Sequence, residues 1–99
     1  MSWIEIIRLQ AACGSETQAR RELELIAQSI VRNSDCPGLV SLAIYRQAVL
    51  QGSFELRLNW CSAIPQTEGS KLGLSLLQLL KRYGLTSHSI WLEIRSEKQ

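Results

Sequence analysis

Three side chains in this chain could carry chemistry: Trp60, Tyr83 and His88, the only histidine. Imidazole exchanges a proton near neutral pH, indole offers a flat apolar face, and phenol can donate or accept a hydrogen bond. A second set, Tyr45, Arg57, Asn59 and Trp91, carries rings and polar groups that could contact a ligand. Each also has a structural reading. Trp60 continues the apolar side of its segment and fits a core, and His88 fits a hydrogen-bonded histidine at the start of the last strand. Trp91, among Ser89, Glu93 and Arg95, fits interface packing.

Other patterns are excluded by spacing. Cys13, Cys36 and Cys61 are odd in number and form no C-x-x-C pair, so they read as reduced thiols rather than zinc or redox ligands. No serine or cysteine can be assigned to His88 as a triad nucleophile. Phosphate loops and nucleotide fingerprints are absent, so the residues imply no metal and no cofactor. Glu55 and Glu93 read as ion-pair partners of Arg57 and Arg95. Glu68-Gly69-Ser70 offers backbone N–H groups to an anion, but helix capping explains the same residues.

Length and charge narrow the classes further. Ninety-nine residues make one domain, spanning 1–99, and a net charge of +2 from scattered basic residues does not mark a nucleic-acid partner. The start, Met1 to Arg8, lacks a signal-peptide pattern. The most apolar later run, residues 72–80, falls well short of the ~20 residues that span a bilayer. A cytoplasmic protein without membrane association is expected.

The elements that must position these side chains can be read from periodicity. Phe54, Leu56, Leu58 and Trp60 alternate with Glu55, Arg57 and Asn59, the pattern of a strand with one core face and one charged face. Strands are also expected over 3–10, 39–47 and 87–95. In the first, Ile4 and Ile6 share one face while Trp3, Glu5, Ile7 and Leu9 share the other. Ser15 to Gln18 has the form of a capping box, followed by apolar residues at helical spacing over 16–33, and residues 33–38 are turn formers. A second helix over 70–83 is capped by Ser70 and ended by Gly84 as a left-handed terminator.

The order βαββαβ predicts a ferredoxin-like α+β domain: a four-stranded antiparallel sheet with both helices on one face. The helix-facing side is expected to gather Ile4, Ile6, Val40, Leu42, Ile44, the 54–60 apolar set, Ile90, Leu92 and Ile94. The open side would then carry Trp3, Ile7, Leu9, Ala43, Tyr45 and Trp91 among Glu5, Glu55, Arg57, Asn59 and Glu93. So apolar a face is rarely left wet, which predicts a homodimer through the sheets.

The segments Ile4 to Leu9, Cys36-Pro37-Gly38-Leu39-Val40-Ser41 and Phe54 to Trp60, in that order, resemble the dimeric α+β barrel proteins of the antibiotic biosynthesis monooxygenase-like family. The resemblance runs from Ile4 to Ile94. It implies a dimer whose sheets pack as a barrel, and cofactor-independent oxidation by O₂ of a small apolar or aromatic molecule held between sheet and helices. Trp60 fits the family's strand tryptophan. Leu56 stands where an asparagine is expected, and Ser70 where the haem-degrading branch needs a histidine, so no axial haem ligand is supplied. The alternative is a non-catalytic dimeric module that binds a small ligand or only self-associates.

Overall fold

The computed structural model describes residues 1–32 and 36–98. Its elements follow the expected order: β1 (Ser2–Ala11), α1 (Glu16–Arg32), β2 (Leu39–Arg46), β3 (Ser53–Cys61), α2 (Lys71–Leu80), a 3₁₀ turn (Lys81–Tyr83) and β4 (Gly84–Leu92). One antiparallel sheet runs β2-β3-β1-β4, so β1 is an inner strand although it comes first in the chain. Of the turn expected over 33–38, Asn33, Ser34 and Asp35 lie outside the described residues, as does Gln99 of the polar tail. No helix among the described residues is long and apolar enough to cross a membrane.

The core corrects the expected faces of β1. Directly paired residues share a face, and Trp3 pairs with Trp60, Glu5 with Leu58, Ile7 with Leu56 and Leu9 with Phe54. Trp3, Glu5, Ile7 and Leu9 therefore face the helices, where all four are buried. Ile4 and Ile6 lie on the open side instead, Ile4 half-buried and Ile6 covered by its neighbours. The segment is apolar on both faces, so period two alone could not choose. The larger set went inward, carrying Glu5 with it because helix α2 supplies partners for its carboxylate.

Around that set pack Phe54, Leu56, Leu58 and Trp60 from β3, Ala19, Leu23 and Ile26 from α1, and Leu76 and Leu80 from α2. Full burial of each large aliphatic side chain contributes about 1.5–3 kcal/mol. Val40 is not among them: a bulge between Leu39 and Ser41 turns it outward, and Leu39 takes its place against the core. Ile94 lies beyond the end of β4 and is exposed.

Two helix boundaries form differently from expectation. At the start of α1, Ser15 contributes its carbonyl, accepting from Ala19 N–H at 2.9 Å, while the Glu16 carboxylate accepts from Gly14 N–H at 3.0 Å. After α2, Gly84 has φ 161° and ψ −156°, extended backbone that begins β4 rather than a left-handed terminator. What Gly84 needs is space, since a Cβ there would stand 2.0 Å from the Gln10 carbonyl oxygen.

Candidate functional site

Glu5 is fully buried, and everything its carboxylate touches comes from elsewhere in the chain. Oε1 accepts from Trp60 Nε1 at 3.1 Å and from Ser70 Oγ at 2.6 Å. Oε2 accepts from the Ser70 backbone N–H at 3.0 Å and lies 2.7 Å from His88 Nε2. Among the described residues no buried side-chain polar atom lacks a partner, so the cluster is fully satisfied.

Each member is placed by its element. The pleat turns Glu5, Trp60 and His88 to the helix side of three adjacent strands. Ser70 is the N-cap of α2, and its hydroxyl accepts from Gly73 N–H at 2.8 Å while donating to Glu5. The positive end of the helix thereby faces a carboxylate, the favourable polarity. The anion that the Glu68-Gly69-Ser70 segment could hold is supplied by the chain itself.

Two glycines let the parts approach. At Gly73 a Cβ would stand 2.0 Å from Glu5 Oε2, so α2 can lie this close to β1 only with glycine there. At Gly69, φ is 109° and a Cβ would stand 2.6 Å from His88 Cε1, so glycine is required by conformation and by space. Trp60 is held from its other side by Trp3, stacked at 5.5 Å between ring centroids and 14° between planes. Trp3 Nε1 in turn donates to Ser62 Oγ at 2.8 Å.

A carboxylate only accepts, so His88 Nε2 carries the hydrogen it gives to Glu5, and Nδ1 is the nitrogen left to receive a proton. Glu5 and Ser70 are sealed, whereas 14% of the His88 side chain is exposed. Ser70 reaches the carboxylate and not the imidazole, so the three residues do not form a nucleophile triad.

Of the expected chemistry-bearing residues, Trp60 and His88 are brought together, through Glu5. Tyr83 is not: its carbonyl accepts from Ala12 N–H at the far end of β1, and its side chain packs on the core. Leu72, Leu76, Leu79 and Leu80 occupy the layer between α2 and the sheet. Glu5 was missed because a charge in a strand suggests an outward side chain. The signal was present: it sits between Ile4 and Ile6, with apolar residues on both faces of the strand.

Tyr45, Arg57, Asn59 and Trp91 all lie on the open face of the sheet. Arg57 stands 5.3 Å over the Tyr45 ring and its Nε donates to Glu55 at 2.6 Å. Asn59 donates to Ser41 at 2.7 Å, and Trp91 Nε1 to Ser89 at 2.9 Å. Asn59 and Trp91 border a concavity of about 370 Å³ at one end of the sheet. Tyr45 borders a second of about 670 Å³ at the other end, near Arg8, Phe54 and Leu85.

Glu55 is the titrating group of that face. Partial burial acts to raise its pKa, but hydrogen bonds and charge from Arg8 and Arg57 outweigh this and hold it below the ordinary 4.5. A depressed carboxylate stabilises the fold above its ordinary value and loses that contribution as pH falls through its folded value. The urea midpoint of the native protein should therefore fall on acidification below pH 4.5. In Glu55→Gln that part of the decline should be missing, which urea titrations at successive pH values would reveal.

No protein-family model matches the sequence, and no curated protein matches it significantly. Solved structures do match in fold. SnoaB, a cofactor-independent oxygenase from Streptomyces nogalater, superposes with a TM-score of 0.71 at 13% identity, covering 99% of this chain and 98% of its own. Rv0793 from Mycobacterium tuberculosis gives 0.65 at 16% identity, covering 99% and 100%. A protein from Deinococcus radiodurans, provisionally assigned as an antibiotic biosynthesis monooxygenase, gives 0.68 at 15% identity, covering 98% and 97%. The chain thus has the ferredoxin-like fold of antibiotic biosynthesis monooxygenase-like proteins over its whole length, as its sequence resemblance implied.

Proposed function

We propose that the protein is an antibiotic biosynthesis monooxygenase-like enzyme that oxidises a small apolar or aromatic molecule with O₂ and no cofactor. One observation supports this reading: inside a fold shared with a cofactor-independent oxygenase, a sealed carboxylate holds His88 through Nε2 on one oxygen and the Trp60 indole on the other, with Nδ1 making no hydrogen bond among the described residues. His88 is the base and Glu5 its positioning residue, with Trp60 held on the same carboxylate. A substrate with an acidified benzylic CH₂, such as a hydroxylated anthrone, gives one proton to Nδ1. The carbanion passes electrons to O₂ and forms a C–O bond, and the resulting hydroperoxide loses water. The CH₂ becomes C=O, one O₂ is consumed and one H₂O released, with His88 returning its proton to the water.

Oxygen uptake with 1,8-dihydroxyanthrone tests this. The native protein should consume O₂ well above the buffer rate, with one anthraquinone formed per O₂. His88→Ala should lower uptake by about 10²–10⁴-fold, the usual contribution of a positioned base. Uptake equal in the two proteins, or equal to buffer, would overturn the assignment. The leucine-filled layer between α2 and the sheet favours the second reading, a non-catalytic ligand-binding or self-associating module, and that is what absence of uptake would leave standing.

The same reading includes a homodimer through the open sheet face. Ile4, Tyr45 and Trp91 lie there, the last two about half exposed at 50% and 56%. A second copy would cover them together with the Arg8–Glu55–Arg57 pairs. Light scattering at micromolar concentration should give twice the 11.2 kDa chain mass. A monomer would refute it.

A further inference from the structure

We infer, resting on the oxygenase reading for what enters, that Leu74 is the gate to His88. Its side chain sets the size of molecule that reaches Nδ1, along a path over Gly69 at the outer edge of β4.

Approaches to the imidazole from within the fold are closed. Nε2 is turned to Glu5 on β1, which is fully buried, and Ser70 at the start of α2 is sealed as well. Among the described residues β4 pairs only with β1, so its outer edge has no strand beyond it. Nδ1 makes no hydrogen bond there, yet no buried side-chain polar atom lacks a partner. Nδ1 is therefore in contact with solvent. The opening is narrow, because the imidazole is otherwise covered and only 14% of the side chain is exposed. It lies on the helix side of the sheet, so a second copy on the open face leaves it uncovered.

Leu74 stands at that opening. A Cβ on Gly69 would lie 3.1 Å from Leu74 Cδ2 as well as 2.6 Å from His88 Cε1. The leucine side chain and the imidazole edge thus meet at the space that glycine leaves empty. Cε1 is bonded to both ring nitrogens, so Nδ1 is the next atom beyond that meeting point. Helix geometry makes Leu74 the part that can move. Gly73 is pressed against Glu5, and the following residue is turned about 100° further round the helix. Leu74 is accordingly 43% exposed and stands outside the core cluster, unlike the buried Leu76 and Leu80. A side chain so loosely held changes rotamer in picoseconds to nanoseconds, so the gate opens without displacing α2. With Leu74 swung aside, Gly69 presents no side chain of its own. The slot that results admits a flat apolar ring edge-on and turns back bulkier molecules.

Paramagnetic relaxation of the His88 Cε1–H signal by the neutral nitroxide TEMPOL measures access to the imidazole whether or not the protein turns over. The single histidine makes that signal unambiguous. Leu74→Ala should raise the relaxation enhancement roughly threefold, and Leu74→Trp should lower it by a similar factor. Ser75→Ala, exposed on the same helix, should match the native protein. Oxygen uptake with 1,8-dihydroxyanthrone should follow the same order. Leu74→Ala should lower KM and Leu74→Trp should raise it roughly tenfold, with the effect falling on KM rather than kcat. Equal enhancement in the native and Leu74→Ala proteins would overturn the gate, as would an unchanged signal in Leu74→Trp. A native protein that takes up no oxygen overturns the oxygenase reading alone, and the relaxation data then decide the gate by themselves.

Discussion

Glu5→Gln should destabilise the protein by about 3–5 kcal/mol, because several charge-assisted hydrogen bonds to a sealed carboxylate are lost and a buried donor is left unpaired. The carboxylate accepts from Trp60 N–H, Ser70 O–H and Ser70 N–H, and faces His88 Nε2. Glutamine keeps one acceptor oxygen and turns an NH₂ toward groups that are themselves donors, so at least one buried donor loses its acceptor. Burial is complete, so water cannot replace the lost bonds. Urea unfolding should show a lower midpoint with an unchanged slope, and Tm should drop by roughly 15–30 °C for a domain of this size. Glu93→Gln, an exposed change just beyond the end of β4, should move neither by much. A loss under about 1 kcal/mol in Glu5→Gln would mean that the four bonds are not made together.

Gly73→Ala should destabilise by about 2–3 kcal/mol even though it replaces glycine by the best helix former within a helix. On propensity alone the change gains about 1 kcal/mol. Against that, the new Cβ would stand 2.0 Å from Glu5 Oε2 and 2.3 Å from Cδ, both sealed between α2 and β1. Either the helix retreats and the core opens, or the carboxylate leaves its donors. Ser75→Ala, exposed on the same helix, should be neutral or slightly stabilising and separates the two effects. Combining Glu5→Ala with Gly73→Ala should cost less than the sum of the single changes, because the first makes room for the second. A stabilised Gly73→Ala protein would show that α2 does not press on β1.

How much of this was visible in the residues depended on whether local pattern carried the information. β3 has apolar residues only at Phe54, Leu56, Leu58 and Trp60, so its faces follow from alternation, and the structure agrees. β1 is apolar on both faces, and alternation could not say that Trp3, Ile7 and Leu9 go inward; that choice belongs to cross-strand pairing and helix packing. The bulge at Val40 shifts a register by one residue, a sheet-level event with no sequence mark of its own beyond the nearby Pro37-Gly38 turn. Ser70 as a cap and His88 as a hydrogen-bonded residue were readable singly. Their meeting at Glu5 was not, because their partner lies 65 and 83 positions away. A glycine inside a leucine-rich helix was the other clue, since Gly73 weakens α2 unless close approach requires it.

The position of β1 also bears on when the chain can become native. Strand β1 ends between β3 and β4, and its carboxylate waits for an indole 55 residues on, a helix start 65 on and an imidazole 83 on. Until β4 has docked, nothing can close over Glu5 without trapping an under-bonded acid. Stable intermediates built from the first two-thirds of the chain are thereby disfavoured, and folding is deferred to a late, cooperative step dominated by non-local contacts. A buried carboxylate thus rewards only the complete sheet, withholding a closed interior until β3, α2 and β4 are all in place.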